Sequence, residues 1–197
     1  MKIGIDIDDT ISDSIERWIY YADKFEEENP NVVKEKITKF QLQNSHNYLE
    51  EFYKWDERDK EIFFNKYSNS MLKTVKIKEN ASSVINKLKE EGHKIYIVTS
   101  RFKIRDNSDA ENITINWLKN YGVQYDKIYF NASNTKLQIC NEESIKLFID
   151  DNYEVCKTMI NNDIKALKMN SKYNNINDDT IPRVNNWKEV YNKIQQM

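Results

Sequence analysis

Residues 1–14 read MKIGIDIDDTISDS. Lys2 to Ile7 is a short run rich in β-forming residues and reads as a first strand. It runs into three acids, Asp6, Asp8 and Asp9. Each carboxylate raises the cost of ionising its neighbours, so a positive partner is expected beside them. The elements that surround this strand decide both the fold and the reason for the cluster.

Asp13 and Glu16 have capping-box spacing, and Ile15, Trp18, Ile19 and Ala22 recur at helical period. That helix should end by Pro30. Ile62, Phe63, Phe64, Tyr67 and Met71 predict a longer second helix. Phe40, Tyr48, Phe52, Tyr53 and Trp55 make the same stretch aromatic, and it shows no convincing strand. Behind Asn80 as a candidate cap, Ala81, Val84, Ile85 and Leu88 form a helical stripe that Gly92 stops. HKIYIVT (93–99) is the next strand. Ser108 and Glu111 have capping-box spacing before a helix through Ile113, Trp117, Leu118 and Tyr121 to Gly122. KIYF (127–130), IKLFI (145–149) and IKALKM (164–169) are further strands, with helices from near Thr135 and over 152–161. A polar loop containing Pro182 leads to a closing helix with Trp187, Val190, Tyr191 and Ile194.

Strands alternating with amphipathic helices predict an α/β fold, a doubly wound, Rossmann-like parallel sheet covered on both faces. The expected division is a core of residues 1–12 and 76–197 and a helical cap, residues 13–75, inserted after the first strand. Ligands of such folds bind at the carboxyl ends of the strands.

Composition narrows the classes of function. The 30 basic and 32 acidic residues leave a net charge of −2, so no basic field advertises a nucleic-acid polymer. Asp6 interrupts the first apolar stretch, which argues against a signal peptide. No apolar run approaches the roughly 20 residues needed to span a bilayer. Cys140 and Cys156 lack metal-ligand spacing and read as buried thiols of a cytoplasmic protein. His46 and His93 form no ligand cluster.

Each apolar strand ends in groups that handle ions. Asp6-Ile7-Asp8-Asp9-Thr10 follows the first, Thr99-Ser100-Arg101 the second, a loop with Lys136 the third, and Asp150-Asp151 the fourth. Asp6 and Asp8, two apart in an extended segment, face the same way. A divalent cation between them would relieve their repulsion, and hard oxygen ligands without Cys or His point to Mg²⁺, with Asp150 completing the site. Metal and Lys136 could hold a phosphate, with Thr99 and Ser100 donating hydrogen bonds. One carboxylate could then attack phosphorus while the other moves the proton. Arg101, Lys103 and Arg105 add positive charge beside the second strand end, Arg101 being the best placed to meet phosphate.

These four strings, in this order, resemble the haloacid dehalogenase-like hydrolase superfamily. DIDDT is similar to its first motif, D-x-D-x-T; IVTSR to its second, a strand ending in Thr or Ser; Lys136 stands where the third supplies a lysine; and LFIDD is similar to the acidic fourth. The resemblance implies that Asp6 is nucleophile and metal ligand. It makes Asp8 the general acid/base, which also gives its backbone carbonyl to the metal. Thr99 would bind the phosphoryl group, Lys136 would offset charge, and Asp150, assisted by Asp151, would bind Mg²⁺. The cap position, the IDD string and the late RVNNW segment (183–187) look most like the 5′(3′)-deoxyribonucleotidase group and its bacterial relatives.

The expected activity is therefore a Mg²⁺-dependent phosphomonoesterase working through an aspartyl-phosphate. Its substrate would be a small phosphomonoester, a nucleoside monophosphate first and a sugar phosphate as the alternative. A homodimer is left open. A phospho-acceptor receiver module would carry its acceptor on a middle strand, and the Thr-Lys-Asp-Asp order here does not fit it. An inactive binding protein would not need the full set of Asp6, Asp8, Lys136 and Asp150. The insertion is expected to move as a lid, with hinges near residues 11–14 and 73–79.

Overall fold

The computed structural model describes residues 1–32, 52–101, 109–171 and 178–197. The expectations placed on Phe40, His46, Tyr48, Lys103, Arg105 and Ser108 fall outside these residues. Six strands make one sheet: β1 (Lys2–Ile5), β2 (Lys94–Val98), β3 (Lys127–Tyr129), β4 (Leu147–Asp150), β5 (Lys165–Met169) and β6 (Arg183–Val184). Their order is β3-β2-β1-β4-β5-β6, and every pairing is parallel. This is the doubly wound order, whose ligand crevice lies where the winding reverses, at β1.

The period of two along each strand sorts the core into two layers. Ile3, Ile5, Ile95, Ile97, Leu147, Ile149 and Leu167 form one face. That face packs on α3 (Ala81–Glu90), α4 (Ala110–Asn120) and α7 (Trp187–Gln195). Tyr96, Val98, Phe148 and Ala166 form the other, against α5 (Lys136–Glu142) and α6 (Tyr153–Ile160). Both faces are buried, which is why these strands read as nearly continuous apolar runs. Gly4 and Phe148 are register partners, and a Cβ at Gly4 would lie 2.4 Å from Phe148 Cδ2. A glycine is what lets β1 lie this close to β4. Cys140 and Cys156 are buried free thiols; burial pushes Cys140 up to about 12 and Cys156 well above the ordinary range, so neither is a ready thiolate.

Between β1 and α3 the chain makes α1 (Ser14–Glu28), a 3₁₀ turn (Pro30–Val32) and α2 (Glu57–Thr74). The buried faces of α1 and α2 meet in an aromatic cluster of Tyr21, Phe25, Phe63 and Tyr67, which Tyr53 and Trp55, just before α2, complete. Entry and exit lie side by side. Ser12 and Ile77 form an antiparallel bridge, Asp13 N–H donates to Lys76 O at 2.9 Å, and Lys78 N–H donates to Ile11 O at 2.8 Å. Among the described residues no helix is long and apolar enough to cross a membrane.

Several local expectations need correction. β1 ends at Ile5, because Ile7 already accepts turn hydrogen bonds from the N–H groups of Thr10, Ile11 and Ser12. Asp13 precedes α1 without capping it; its carboxylate turns to Lys78 Nζ at 3.3 Å. The cap comes from Asp9, whose Oδ1 accepts the Ile15 N–H at 3.0 Å. Asn80 sits at the N-cap of α3 in a left-handed conformation (φ 61°) with no side-chain cap bond. The pairing of Arg183 and Val184 as β6 was not expected, for only two residues follow Pro182 before the next turn.

Candidate active site

Register places the strand ends in one row. Ile5 stands opposite Ile97 and Ile149, and Asp6 N–H continues the ladder to Ile149 O at 3.0 Å. Asp6 therefore emerges beside Asp150, the last residue of β4. Lys136, first residue of α5, reaches in from the other side of the sheet end. Its Nζ donates to Asp6 Oδ1 at 2.8 Å and to Asp150 Oδ2 at 2.7 Å. All three side chains are buried. Asp150 Oδ1 also accepts the Asn152 N–H at 2.8 Å, which fixes the carboxylate plane.

Carboxylate oxygens of Asp6, Asp150 and Asp151 lie within 4.8 Å of one another. Burial raises the pKa of Asp6 well above the carboxylate range; Lys136 opposes this, and Asp150, Asp8 and Asp151 add to it. Burial likewise works against the charged form of Lys136, but Asp150 and Asp6 outweigh it and hold the ammonium well above an ordinary lysine. One ammonium against three carboxylates leaves the charge deficit that one divalent cation would fill. The all-oxygen donor set also suits a hard cation, so the residues present fit such an ion. Asp151 thus joins Asp6 and Asp150 as a direct candidate ligand. The carboxylate of Asp8 is not in this cluster.

Asp8 faces a different environment. Arg101 grips it with a two-pronged pair, Nη2 to Oδ1 at 2.7 Å and Nε to Oδ2 at 2.9 Å, and Ser14 Oγ donates to Oδ1 at 2.5 Å. Burial would raise its pKa, but the Arg101 charge and hydrogen bonds and the Ser14 hydroxyl prevail, and Asp8 lies below the usual carboxylate value. Arg101, expected on phosphate, thus meets Asp8. Its Nη1 is 3.3 Å from Thr114 Oγ1, and its guanidinium lies 5.5 Å from the Trp117 ring centre.

Thr99 is fully buried at the end of β2, and its Oγ1 accepts the Arg101 N–H at 3.2 Å, leaving the hydroxyl proton to donate. Ser100 opens onto a cavity of about 310 Å³ lined also by Asp8, Trp18, Phe64, Ser68, Leu72 and Arg101. Asp9 turns away from both groups to hold α1. It is left-handed at φ 54°, and burial carries its pKa up to about 7. Ser14, Thr114 and the cavity wall of Ser68 and Leu72 were not singled out from the sequence. The only trace of Ser14 there is its place in the TISDS string.

Comparison with known proteins bears on this arrangement. A nucleotidase from Clostridium acetobutylicum is 26% identical over 200 residues, spanning 100% of this chain and 95% of that protein. A Bacillus cereus protein named provisionally as a nucleotidase is 25% identical, over 100% of this chain and 99% of its own. In fold the chain is similar to a haloacid dehalogenase-like family hydrolase from Streptococcus pneumoniae, with a TM-score of 0.66 at 15% identity and 98% of each chain covered. The sequence pattern of the haloacid dehalogenase-like hydrolases matches residues 3–121, which include Asp6, Asp8 and Thr99. With more than half its length so matched, on a sheet that gathers these residues at one edge, the chain belongs to the haloacid dehalogenase-like hydrolase family.

Proposed function

We propose that the protein is a Mg²⁺-dependent phosphomonoesterase that acts through an aspartyl-phosphate on nucleoside monophosphates. The observation that carries this reading is the division between Asp6 and Asp8. The two carboxylates leave one strand end two residues apart, yet one is held by Lys136 and the acidic cluster and the other by Arg101 and Ser14. Paired carboxylates with divergent environments suit divided roles.

Asp6, Asp150 and Asp151 would hold the cation, which when bound offsets the negative charge of the cluster and of the phosphoryl group. Lys136 supplies a second, fixed positive charge, and Thr99 and Ser100 offer hydroxyl donors. The Asp6 carboxylate attacks phosphorus and the bond to the leaving oxygen breaks. Asp8 is ionised at rest beside Arg101, so it must first take up a proton from solvent, which the negative charge of a bound phosphoryl group favours, and it then gives that proton to the leaving oxygen. Water then attacks the phosphorus of the aspartyl-phosphate. Asp8, now a carboxylate, accepts the water's proton, and phosphate leaves with Asp6 restored.

The nucleotide preference rests on two supports. The cavity beside Asp8 is walled by Trp18 and Phe64, whose ring centres are 5.4 Å apart, a surface suited to a flat base. Two relatives also carry the word nucleotidase in their names. Turnover of a panel of phosphomonoesters with and without Mg²⁺ tests the reading. Nucleoside monophosphates should exceed sugar phosphates in kcat/KM by more than about tenfold, roughly 1.4 kcal/mol of transition-state binding. Chelation should abolish activity, and Asp6→Asn should lower it by about 10⁴-fold or more. Full activity of Asp6→Asn rejects the mechanism; preference for a sugar phosphate rejects only the substrate.

A further inference from the structure

We infer that Arg101 is a positioning residue that aims Asp8 at the leaving-group oxygen and does not bind the phosphoryl group. The inference rests on the phosphomonoesterase reading above. Three features of the guanidinium support it. Both of its nearer nitrogens are committed to the two oxygens of Asp8, so the plane of that carboxylate is fixed by the arginine. The third nitrogen donates to Thr114 Oγ1 and the flat face lies 5.5 Å from the Trp117 ring centre, both on α4, so three of the five N–H donors and one face are directed into the protein. Both residues line the cavity, but the arginine side chain is 3% exposed and that of Asp8 38%, so Asp8 presents the larger surface.

The opposing ends of this link are also distinct. Arg101, just past β2, anchors Asp8 from the core. Ser14, the first residue of α1, holds Oδ1 from the insertion. Three donors fill three of about four acceptor directions of the carboxylate. The remaining one is where Asp8 would carry the proton that it gives to a leaving oxygen in the cavity it lines.

A phosphate ligand and an aiming residue predict different kinetics. Phenyl phosphate and p-nitrophenyl phosphate have nearly the same shape and the same phosphoryl group. Phenoxide is the poorer leaving group and needs the proton that Asp8 supplies; p-nitrophenoxide leaves nearly unaided. The quantity to compare is kcat/KM, which reports steps up to departure of the leaving group and excludes breakdown of the aspartyl-phosphate. Arg101→Ala should lower kcat/KM about 10²-fold for phenyl phosphate and less than about threefold for p-nitrophenyl phosphate, the loss expected of a misplaced general acid. Arg101→Lys should fail to rescue, because an ammonium cannot supply the fork. Thr114→Val, which removes one anchor and preserves shape, should shift the ratio the same way by a few-fold.

Equal losses on both probes in Arg101→Ala, or rescue by Arg101→Lys, overturn the inference and return Arg101 to the phosphate. The Thr114→Val result guards against a folding defect, for a ratio unchanged there also counts against it. A wild-type enzyme that turns over neither probe nor any nucleotide overturns the phosphomonoesterase reading and the inference with it.

Discussion

The sheet and the helical insertion are held together by different means. In the sheet, buried Ile, Val and Leu side chains ride on a ladder whose register assigns each one a face. A slip of one residue would turn every side chain over. In the insertion the buried residues are largely rings. Phe63 alone has Trp18, Phe25, Trp55, Phe64 and Tyr67 at centre distances of 4.8 to 6.3 Å, in tilted and edge-on contacts with no ladder between them. The residues of the candidate site divide the same way. Asp6, Thr99 and Asp150 stand at strand ends or just past them, whereas Trp18, Phe64, Ser68 and Leu72 of the cavity wall stand on α1 and α2. Strand register positions the candidate reacting groups, and ring packing on α1 and α2 shapes the wall of the cavity beside them.

The sharpest way to break this comparison is Phe63→Ala. The residue is fully buried, and its truncation should cost about 3–5 kcal/mol. Hydrogen exchange should show α1 and α2 losing protection while β1 and β4 retain it. Equal loss across the sheet would mean the two regions are one cooperative unit. Gly4→Ala is the mirror experiment. The added methyl meets Phe148 in the adjacent strand, not the flexible end of a surface chain, and should destabilise by about 2 kcal/mol through overpacking. Here β1 and β4 should lose protection first, and a variant as stable as the parent would show that the strands can part at little cost.

The junction is tested through pH. Asp9 has a folded pKa of about 7, raised from 3.8 chiefly by burial. Between those values the native state binds the extra proton, so stability falls as pH rises and the loss is complete once pH exceeds the folded pKa. Asp9→Asn can still accept the Ile15 N–H and has no charge to bury. Denaturant unfolding without divalent cations should therefore show the parent losing stability from pH 5 to pH 8 by on the order of 2–3 kcal/mol more than Asp9→Asn. Parallel pH profiles would remove Asp9 from the stability of the junction.

The strands were legible because burial on both faces leaves a signature no surface element shares. Their ends were legible because ionisable groups interrupt apolar runs at corresponding places. That alone brought Asp6, Lys136 and Asp150 together, and the hydrogen bonds of Lys136 to both acids agree with it. What stayed hidden depended on partners distant in sequence. Arg101 reads as a cation beside a phosphate site, and only the fold sets it against Asp8, 93 residues away. Asp13 and Glu16 have the spacing of a local cap, but Lys78 draws Asp13 away and Asp9 takes the cap. β6 is too short for periodicity to register, and exists through pairing with β5 alone.

The paired linkers at Ser12 and Ile77 carry one more consequence. Because the chain leaves the core and returns through adjacent, hydrogen-bonded positions, the insertion has the footprint of a hairpin loop, whatever its length. The entropy of closing such a loop grows only slowly with the number of residues in it. Loop closure thus sets little limit on the size of the lobe threaded through this doorway, and what a replacement would have to keep is the first turn of α1, where Ser14 holds Asp8 and Ile15 meets Asp9.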